Sequence, residues 1–387
     1  MKTSQAKLGL HRGSRFALAV AGVVALSSLA ACGGGGDAAE KPKENKIAVS
    51  EVPSYYPADY SSVLDASKKE GGELTIYSNT SEENWAPIFR DFQKKFPWVK
   101  KVSANDLDSD EVFQKVLSEH ATGSSPVDLI VSNAASAWAE FAQRPDVLEA
   151  YKPAELAEMP DAQLLPNVYA MSKDPMTIAY NTSLMDKAPT SIHDLAEMVK
   201  ADPKKFENKI TVRDPESSFG FSVTKAFTDA NPQAWTDFET LLPAARPETS
   251  SGTQLEKITS GEYVAGFFIS GGPAFPVVDD SDGLVQVTYP SDGTSVLPRG
   301  VGIAADAPDP ATAKLFVDFV LSEEGQRAVA EGGLSSYREG ISGPGLHTYQ
   351  ELVSKVGQDK VIPVKYEVVS KEDSTAWLDK FNALVKQ

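Results

Sequence analysis

The clearest change of hydrophobic pattern along the chain lies in residues 72–97. Leu74–Tyr77 alternate between apolar and polar positions and carry β-favouring side chains, which predicts a strand. A small polar loop, Ser78–Ser81, follows the strand, and apolar residues then recur every three or four positions up to Pro97, which predicts an amphipathic helix capped by Ser81. A strand, a polar loop and a helix N-terminus together present backbone N–H groups to a ligand.

The same order of strand, small polar loop and helix returns several times. Val99–Ala104 and Val127–Val131 are predicted strands that are followed by helical patterns, and Met176–Asn181 and Tyr263–Ser270 continue the series. This alternation predicts an α/β fold with a largely parallel sheet. A chain of 387 residues is too long for one ordinary domain, so we expect two lobes.

The N-terminal residues have the pattern of an export signal. The first fifteen residues contain four Lys or Arg and no acid, and Phe16–Ala31 is an apolar run too short for a comfortable membrane span. The run ends in Leu29-Ala30-Ala31-Cys32, which resembles the lipobox of bacterial lipoproteins and implies lipidation of Cys32. We therefore expect a signal peptide over 1–31 and a flexible tether over 32–57, where glycine and proline are frequent. A secretory peptide with an incidental cysteine is the alternative.

The charge and the single cysteine limit the partners of the exported chain. The formal charge is −17, and removing the four basic residues of the leader leaves −17 − 4 = −21. Such an acidic protein is not expected to bind nucleic acid or anionic lipid. Cys32 is the only cysteine, so no disulfide can form within the chain. We expect a monomer outside the cytoplasm, held at the membrane by the lipid alone.

Residues that would carry catalysis are scarce. There are four histidines, none with metal-ligand spacing, and His11 belongs to the leader. No nucleophile elbow, P-loop or zinc-protease motif is present in the sequence. The sequence therefore favours a binding protein without a cofactor or a resident metal, although a hydrolase with two carboxylates stays open as an alternative.

Small polar residues recur where predicted strands end, and this is the pattern from which we predict a binding site. Ligands of open α/β sheets bind outside the carboxyl ends of the strands, so several such loops can converge on one solute. Arg299 and Arg213 are candidate counter-charges for an oxyanion. The predicted ligand-binding residues are Ser78, Asn79, Thr80, Ser132, Asn133, Tyr180, Ser217, Ser218, Ser251, Gly252, Ser270, Gly271 and Arg299.

From Gly72 to Ile341 the chain resembles the bacterial extracellular solute-binding proteins of ABC importers. The resemblance is closest to the group that includes ferric-iron, thiamine, polyamine and aminoethylphosphonate binders. The matching segments are GELTIYSNTSEENWAPIFRDFQKKFP (72–97), VDLIVSN (127–133), MTIAYNTSL (176–184), SGEYVAGF (260–267), LPRGVGIAADA (297–307) and AKLFVDFVLSEEGQ (313–326).

The resemblance implies a type II periplasmic-binding-protein fold. In that fold each lobe is a mixed or parallel sheet flanked by helices, and the ligand lies in the cleft between the lobes. The corresponding boundaries are 58–178 plus 298–345 for lobe 1 and 179–297 plus 346–387 for lobe 2. The chain is expected to cross between them at Met176–Asn181 and Leu297–Ile303, which would place Tyr180 at the hinge. The implied partner is the membrane permease of an ABC importer.

The class of solute stays open between anions and cations. Hydroxyl-rich loops and helix N-termini favour a phosphonate, phosphate ester or carboxylate, whereas Asp106, Asp108 and Asp110 would suit a cation, and a zwitterion needs both. Ferric-iron members of the family use adjacent tyrosines in the second lobe. The adjacent pair here, Tyr55-Tyr56, lies in the predicted tether, where a packing role is the simpler interpretation. An anionic or zwitterionic solute is therefore the first expectation, with ferric iron, polyamine or thiamine as the alternative.

Overall fold

The computed structural model describes residues 52–385, and within that range it is an α/β protein. No helix in these residues is long and apolar enough to cross a membrane. The strands are β1 (Glu73–Ser78), β2 (Lys101–Asp106), β3 (Leu129–Ser132), β4 (Gln163–Leu165), β5 (Val168–Asn181), β6 (Ile210–Arg213), β7 (Ala245–Glu248), β8 (Ala265–Ser270), β9 (Val285–Thr288), β10 (Thr294–Ile303) and β11 (Val361–Pro363).

Within residues 52–385, fourteen α-helices flank these strands. They are α1 (Ser61–Ser67), α2 (Glu82–Lys95), α3 (Glu111–Thr122), α4 (Ala135–Phe141), α5 (Ile192–Ala201), α6 (Pro203–Phe206), α7 (Ser218–Ala230), α8 (Ala234–Leu241), α9 (Ser251–Thr259), α10 (Gly271–Asp280), α11 (Pro310–Leu321), α12 (Glu323–Glu331), α13 (Tyr349–Val356) and α14 (Lys371–Asn382). The predicted signal peptide over 1–31, the predicted lipidation site Cys32 and most of the predicted tether lie outside the described residues.

Two regions of parallel strands are joined by two long antiparallel strands. The strand order is β2-β1-β3-β10-β5-β8-β6-β7, and β4, β9 and β11 pair at its sides. In the first region β1 is parallel to β2 and β3, and in the second β6 is parallel to β7 and β8. The mixed sheet flanked by helices confirms the predicted α/β class.

Strand β5 belongs to both regions. Its first part pairs with β10 up to Pro175, and Met176–Asn181 pair with β8 and β9. The predicted crossings, Met176–Asn181 and Leu297–Ile303, therefore lie within β5 and β10. The lobe boundaries proposed from the sequence stay a prediction.

Strand β5 begins at Val168, well before the strand that was predicted at Met176. Ser172, Lys173, Asp174 and Pro175 interrupt the apolar run, and polar residues followed by proline are typical of a loop. The folded chain satisfies these polar groups, since the Ser172 hydroxyl donates to Asp174 Oδ2 at 3.1 Å and the Ser335 N–H, distant in sequence, donates to Asp174 Oδ1 at 3.0 Å.

Seven of the fourteen described α-helices begin with a side chain that accepts a backbone N–H of the first turn. Ser217 Oγ accepts the Gly220 N–H at 3.1 Å, and Ser370 Oγ accepts the Asp373 N–H at 3.1 Å. Ser81 stands at the N-cap of α2, but its hydroxyl donates to Asn84 Oδ1 at 2.9 Å instead of capping a backbone N–H. Ser81 is therefore the N-cap residue, as predicted, but its side chain caps no backbone N–H.

The C-terminal segment connects the two regions. Trp377 and Phe381 of α14 pack into the apolar core of the second region, and Tyr366 packs against the cores of both regions. The Tyr366 hydroxyl donates to the Pro298 carbonyl at 2.8 Å, and the Val364 N–H donates to the Val296 carbonyl at 2.9 Å. The segment after β11 therefore fastens β10 at the point where β10 passes between the regions.

The residues that precede α1 are fixed by buried carboxylates. Tyr55 and Tyr56 donate to Glu155, with the Tyr56 hydroxyl 2.6 Å from Oε1. The Tyr60 hydroxyl donates to Asp318 Oδ2 at 2.8 Å. The adjacent tyrosines thus anchor the start of the domain by packing, as was expected for the end of the predicted tether.

Asp318 is expected to make the stability of the protein pH-dependent. Burial raises the pKa of Asp318 to about 6, although the Tyr151 and Tyr60 hydroxyls act against this rise. Because the folded-state pKa lies above the unfolded value of about 3.9, the folded protein takes up a proton first as the pH falls, and this group then adds stability between pH 6 and 4. We expect Asp318→Asn to lose that gain, about 2 kcal/mol, in urea unfolding compared at pH 7 and pH 4.

The exposed Asp65→Asn variant is the matched control and should follow the wild-type dependence on pH. If the unfolding free energies of wild type and Asp318→Asn stayed a constant distance apart across this pH range, Asp318 would not titrate in the folded protein as described.

Candidate functional site

A cavity of about 440 Å³ lies where the carboxyl ends of parallel strands from both regions meet. Strands β1, β2 and β3 lead into it from the first region, and β6, β7 and β8 lead into it from the second. This is the place at which open α/β sheets bind ligands, because loops and helix N-termini converge there. The lining residues are Asn79, Ser81, Asn84, Asp106, Leu107, Asp108, Ser109, Glu111, Asn133, Arg213, Phe219, Ser250, Ser251, Gly252, Ser270, Pro273 and Arg299.

The structure brings six of the predicted ligand-binding residues to this cavity, together with Arg213. These six are spread along the sequence from position 79 to position 299, so their convergence is a product of the fold. They are Asn79, Asn133, Ser251, Gly252, Ser270 and Arg299.

Three further predicted residues lie behind the lining and support it. The Ser78 hydroxyl accepts the Trp85 indole N–H at 3.1 Å, and the Ser132 hydroxyl donates to the Ser109 carbonyl at 3.0 Å. Thr80 Oγ1 accepts a hydrogen bond from Arg299 at 2.8 Å. Side chains alternate along a strand and its first loop residues, which turns these three hydroxyls away from the cavity.

The remaining four predicted residues are not among the lining residues. Ser217 caps α7, and the Ser218 N–H donates to Asp110 Oδ2 at 3.0 Å, so this helix end is occupied by a carboxylate of the protein itself. Gly271 is buried beneath Phe275, where an added Cβ would come within 2.7 Å of the ring. Tyr180 is partly buried and packs against the core of the second region.

Arg299 forms part of the buried framework of the site. Its guanidinium donates to Thr80 Oγ1 at 2.8 Å and to Asn79 Oδ1 at 3.1 Å, and Nη2 lies 3.2 Å from Asp174 Oδ2. Both charged side chains are almost fully buried, with 3% and 0% of their surface exposed. The charge of Arg299 is therefore already compensated. Of its three guanidinium nitrogens, only Nε lacks a hydrogen-bond partner among the described residues.

Arg213 differs from Arg299 because its charge forms no salt bridge with any of the residues that the structure describes. The residue is 6% exposed, and its Nε and Nη1 find no hydrogen-bond acceptor within residues 52–385. The guanidinium lies 4.6 Å from the centre of the Phe219 ring, which holds it in place. Burial lowers the pKa of Arg213 to about 10, while Asp108, Asp214 and Asp110 act against this change, so the group stays charged at neutral pH.

The second region adds uncharged donors beside Arg213. Ser250 Oγ caps α9 by accepting the Thr253 N–H at 2.9 Å, and Ser251 Oγ accepts the Ser270 N–H at 3.1 Å. The Ser270 hydroxyl is buried and has no partner in the part of the chain that the structure describes. This wall of the cavity thus combines a guanidinium, a hydroxyl and a helix N-terminus, a set that suits an oxyanion.

The opposite side of the cavity carries acids. Asp106, Asp108 and Glu111 line it and are exposed to solvent. Burial and the neighbouring Asp108 raise the pKa of Asp106, while Arg299 acts in the opposite direction. The cavity therefore has buried cations at its inner end and exposed carboxylates at its rim.

Several lining residues were not predicted from the sequence. Asn84 and Phe219 lie on helix faces, and Pro273 lies in α10, a helix that the glycines and prolines of residues 271–276 concealed. Asn84 Nδ2 donates to the Gly272 carbonyl at 3.2 Å, so it also connects the two regions. For Asn84, the one signal in the sequence was the predicted N-cap at Ser81, which places the start of α2 next to the loop after β1.

The chain belongs to the family of bacterial extracellular solute-binding proteins, whose family model matches residues 88–344. The family that the sequence resembled is thereby confirmed. Iron uptake protein A1 of Synechocystis is 24% identical over 288 residues, which is 68% of this chain and 74% of that protein.

Solved structures show the same fold. A substrate-binding protein of an ABC transporter from Agrobacterium tumefaciens matches with a TM-score of 0.73 and 19% identity, covering 81% of this chain and 96% of that one. The periplasmic binding protein AfuA from Actinobacillus pleuropneumoniae, solved with fructose-6-phosphate bound, matches with a TM-score of 0.64 and 22% identity, covering 80% and 98%. The fold is therefore that of periplasmic binding proteins.

Proposed function

We propose that this protein is the receptor of an ABC importer for a small solute that carries an oxyanion. The observation that carries the proposal is Arg213, a buried guanidinium that lines the cavity with two nitrogens unpaired. An unpaired buried charge lowers the stability of the folded protein. Its presence in a cavity is accounted for if a ligand of opposite charge binds there. A phosphonate, phosphate ester or carboxylate, alone or as part of a zwitterion, meets this condition.

The position of the donors supports a role in closing the protein around the solute. Arg213 and Ser270 belong to the second region, whereas Asn79, Asn133 and Arg299 line the cavity from the first region and the crossing strand β10. A ligand that is bound from both sides stabilises the closed state more than the open one, which shifts the population towards closure. The closed protein would then deliver the solute to the membrane permease, with Cys32 as the proposed lipid anchor.

Ferric iron is the alternative that the relatives raise. One relative is named iron uptake protein A1, whereas AfuA was solved with fructose-6-phosphate bound. The fold by itself therefore does not distinguish between ferric iron and a phosphate ester as the solute. Among residues 52–385 there is no group of three or more His, Cys, Asp or Glu side chains that could hold a metal ion. Tyr55 and Tyr56 are bonded to Glu155 instead, and the residues that line the cavity include no tyrosine.

A thermal-shift screen of the purified protein tests the proposal. The panel contains phosphate esters, phosphonates and carboxylates on one side, and spermidine, thiamine and ferric citrate on the other. A solute that binds the native state raises the melting temperature by mass action, by several degrees at a hundredfold excess over Kd. We expect shifts with oxyanions and none with spermidine or thiamine.

Each oxyanion is paired with an uncharged analogue, such as an alcohol in place of a phosphate ester, as the control. Citrate without iron controls for the carboxylates of ferric citrate. A shift confined to ferric citrate, or to spermidine or thiamine, would replace the oxyanion proposal with a cation receptor.

A further inference from the structure

The cavity carries opposite charges at its two ends, and this arrangement bears on which oxyanions it admits. Arg213 and Arg299 are 6% and 3% exposed, whereas Asp106, Asp108 and Glu111 on the same cavity are exposed. The acids are not consumed by salt bridges, since none of the three is paired with Lys, Arg or His within the part of the chain described here.

Asp110, the fourth acid of this loop, is arranged differently. Its carboxylate accepts the Ser218 N–H at 3.0 Å and so ties the loop after β2 to the start of α7 in the second region. Glu111 is also engaged, because its Oε2 accepts the Asp108 N–H at 3.4 Å. These two contacts hold the loop in place. Within residues 52–385 the Asp106 and Asp108 carboxylates form no salt bridge, although Asp108 is near enough to Arg213 to act on its pKa, and Arg299 acts in the same way on Asp106.

We infer that Asp106 and Asp108 select among oxyanion solutes by the charge at the outer end of the solute, favouring an ammonium group and rejecting a second anion. The inference rests on the proposed function, because it places the oxyanion at Arg213. With the oxyanion held at the buried end, the remainder of a short solute extends towards the rim. A positive group there is attracted by two carboxylates, and a negative group is repelled by both.

The expected change in affinity depends on how far the Asp106 and Asp108 carboxylates are exposed to solvent. Interactions between exposed charges are screened, so each carboxylate is expected to change affinity by a few-fold, and the two together by about tenfold in either direction. A solute with an ammonium tail should therefore bind about tenfold more tightly than its neutral analogue, and a solute with a second anion about tenfold more weakly. The difference should shrink as salt is added.

Two matched sets of solutes test the inference by calorimetric titration. Ethyl phosphate, phosphoethanolamine and phosphoglycolate share a phosphate and end in a methyl, an ammonium and a carboxylate. The second set is butanoate, 4-aminobutanoate and succinate. These three share a carboxylate and end in a methyl, an ammonium and a second carboxylate. For the set that binds, we expect Kd to rise in the order ammonium, methyl, carboxylate.

The double variant Asp106→Asn/Asp108→Asn should reduce the spread of Kd within the set from about a hundredfold to a few-fold. Asp359→Asn, which removes an exposed charge elsewhere, should leave the spread unchanged. Equal affinities within a set for the wild type, or a spread that survives in the double variant, would overturn the inference and leave the oxyanion site intact. Failure of both sets and of the oxyanion panel would overturn the proposed function itself.

Discussion

Replacing Arg213 with methionine is expected to weaken oxyanion binding at least about 100-fold while the free protein becomes no less stable. The loss follows from two charge-assisted hydrogen bonds, each about 1.5–3 kcal/mol, that the unpaired Nε and Nη1 would give to a ligand. The unchanged or higher stability follows because the variant replaces an unpaired buried charge by an apolar side chain of similar length beside Phe219.

Two measurements check this result, a titration with the solute that the screen identifies and urea unfolding without ligand. Arg213→Lys is the matched control. It keeps the charge but cannot donate two parallel bonds, so its affinity should fall between those of wild type and Arg213→Met. An Arg213→Met variant that unfolds more easily and binds normally would show that Arg213 is a structural residue.

The corresponding change at Arg299 is expected to act mainly on stability. Arg299→Met leaves the carboxylate of Asp174 without its charge partner at a position where that residue is 0% exposed. Breaking a buried ion pair from one side costs about 3–5 kcal/mol. The free energy of urea unfolding should fall by at least that amount, because the hydrogen bonds that the guanidinium donates to Asn79 and Thr80 are lost as well.

The double variant Arg299→Met/Asp174→Asn separates this cause from a packing defect. The second substitution removes the Asp174 charge that Arg299→Met leaves unpaired. About half or more of the lost stability should therefore return. If the double variant were less stable than Arg299→Met alone, the buried pair would not be the source of the loss. The two buried guanidinium groups thus differ in role. Arg299 is paired with Asp174 within the protein, whereas Arg213 is the proposed partner of a ligand.

The regular elements could be predicted wherever local chemistry and tertiary packing agree. Helices α7 and α14 follow their capping serines, and α11 follows Asp309-Pro310 and a continuous apolar face. The start of β5 and helix α10 could not be predicted, because proline and glycine normally end elements. In β5 the polar residues are held by Arg299, which lies 125 residues away from Asp174 in sequence.

The site could be predicted in kind but not in detail. Small polar loops after strands identify the edge of the sheet at which the cavity lies, and six of the predicted residues line that cavity. Their role in ligand binding stays a proposal. Sequence does not tell which side of a loop faces the cavity, so Ser78, Thr80 and Ser132 were included although they bond behind it. The unpaired state of Arg213 and the exposure of the rim acids depend on contacts that only the folded chain defines.

A crystal structure of the protein with its best-binding solute tests the central claim most directly. The account predicts that the oxyanion lies within hydrogen-bonding distance of Arg213 Nε and Nη1 and of the Ser270 hydroxyl, between the two regions of the sheet. A solute bound away from this cavity, or bound in it with its anionic group turned from Arg213, would contradict the account.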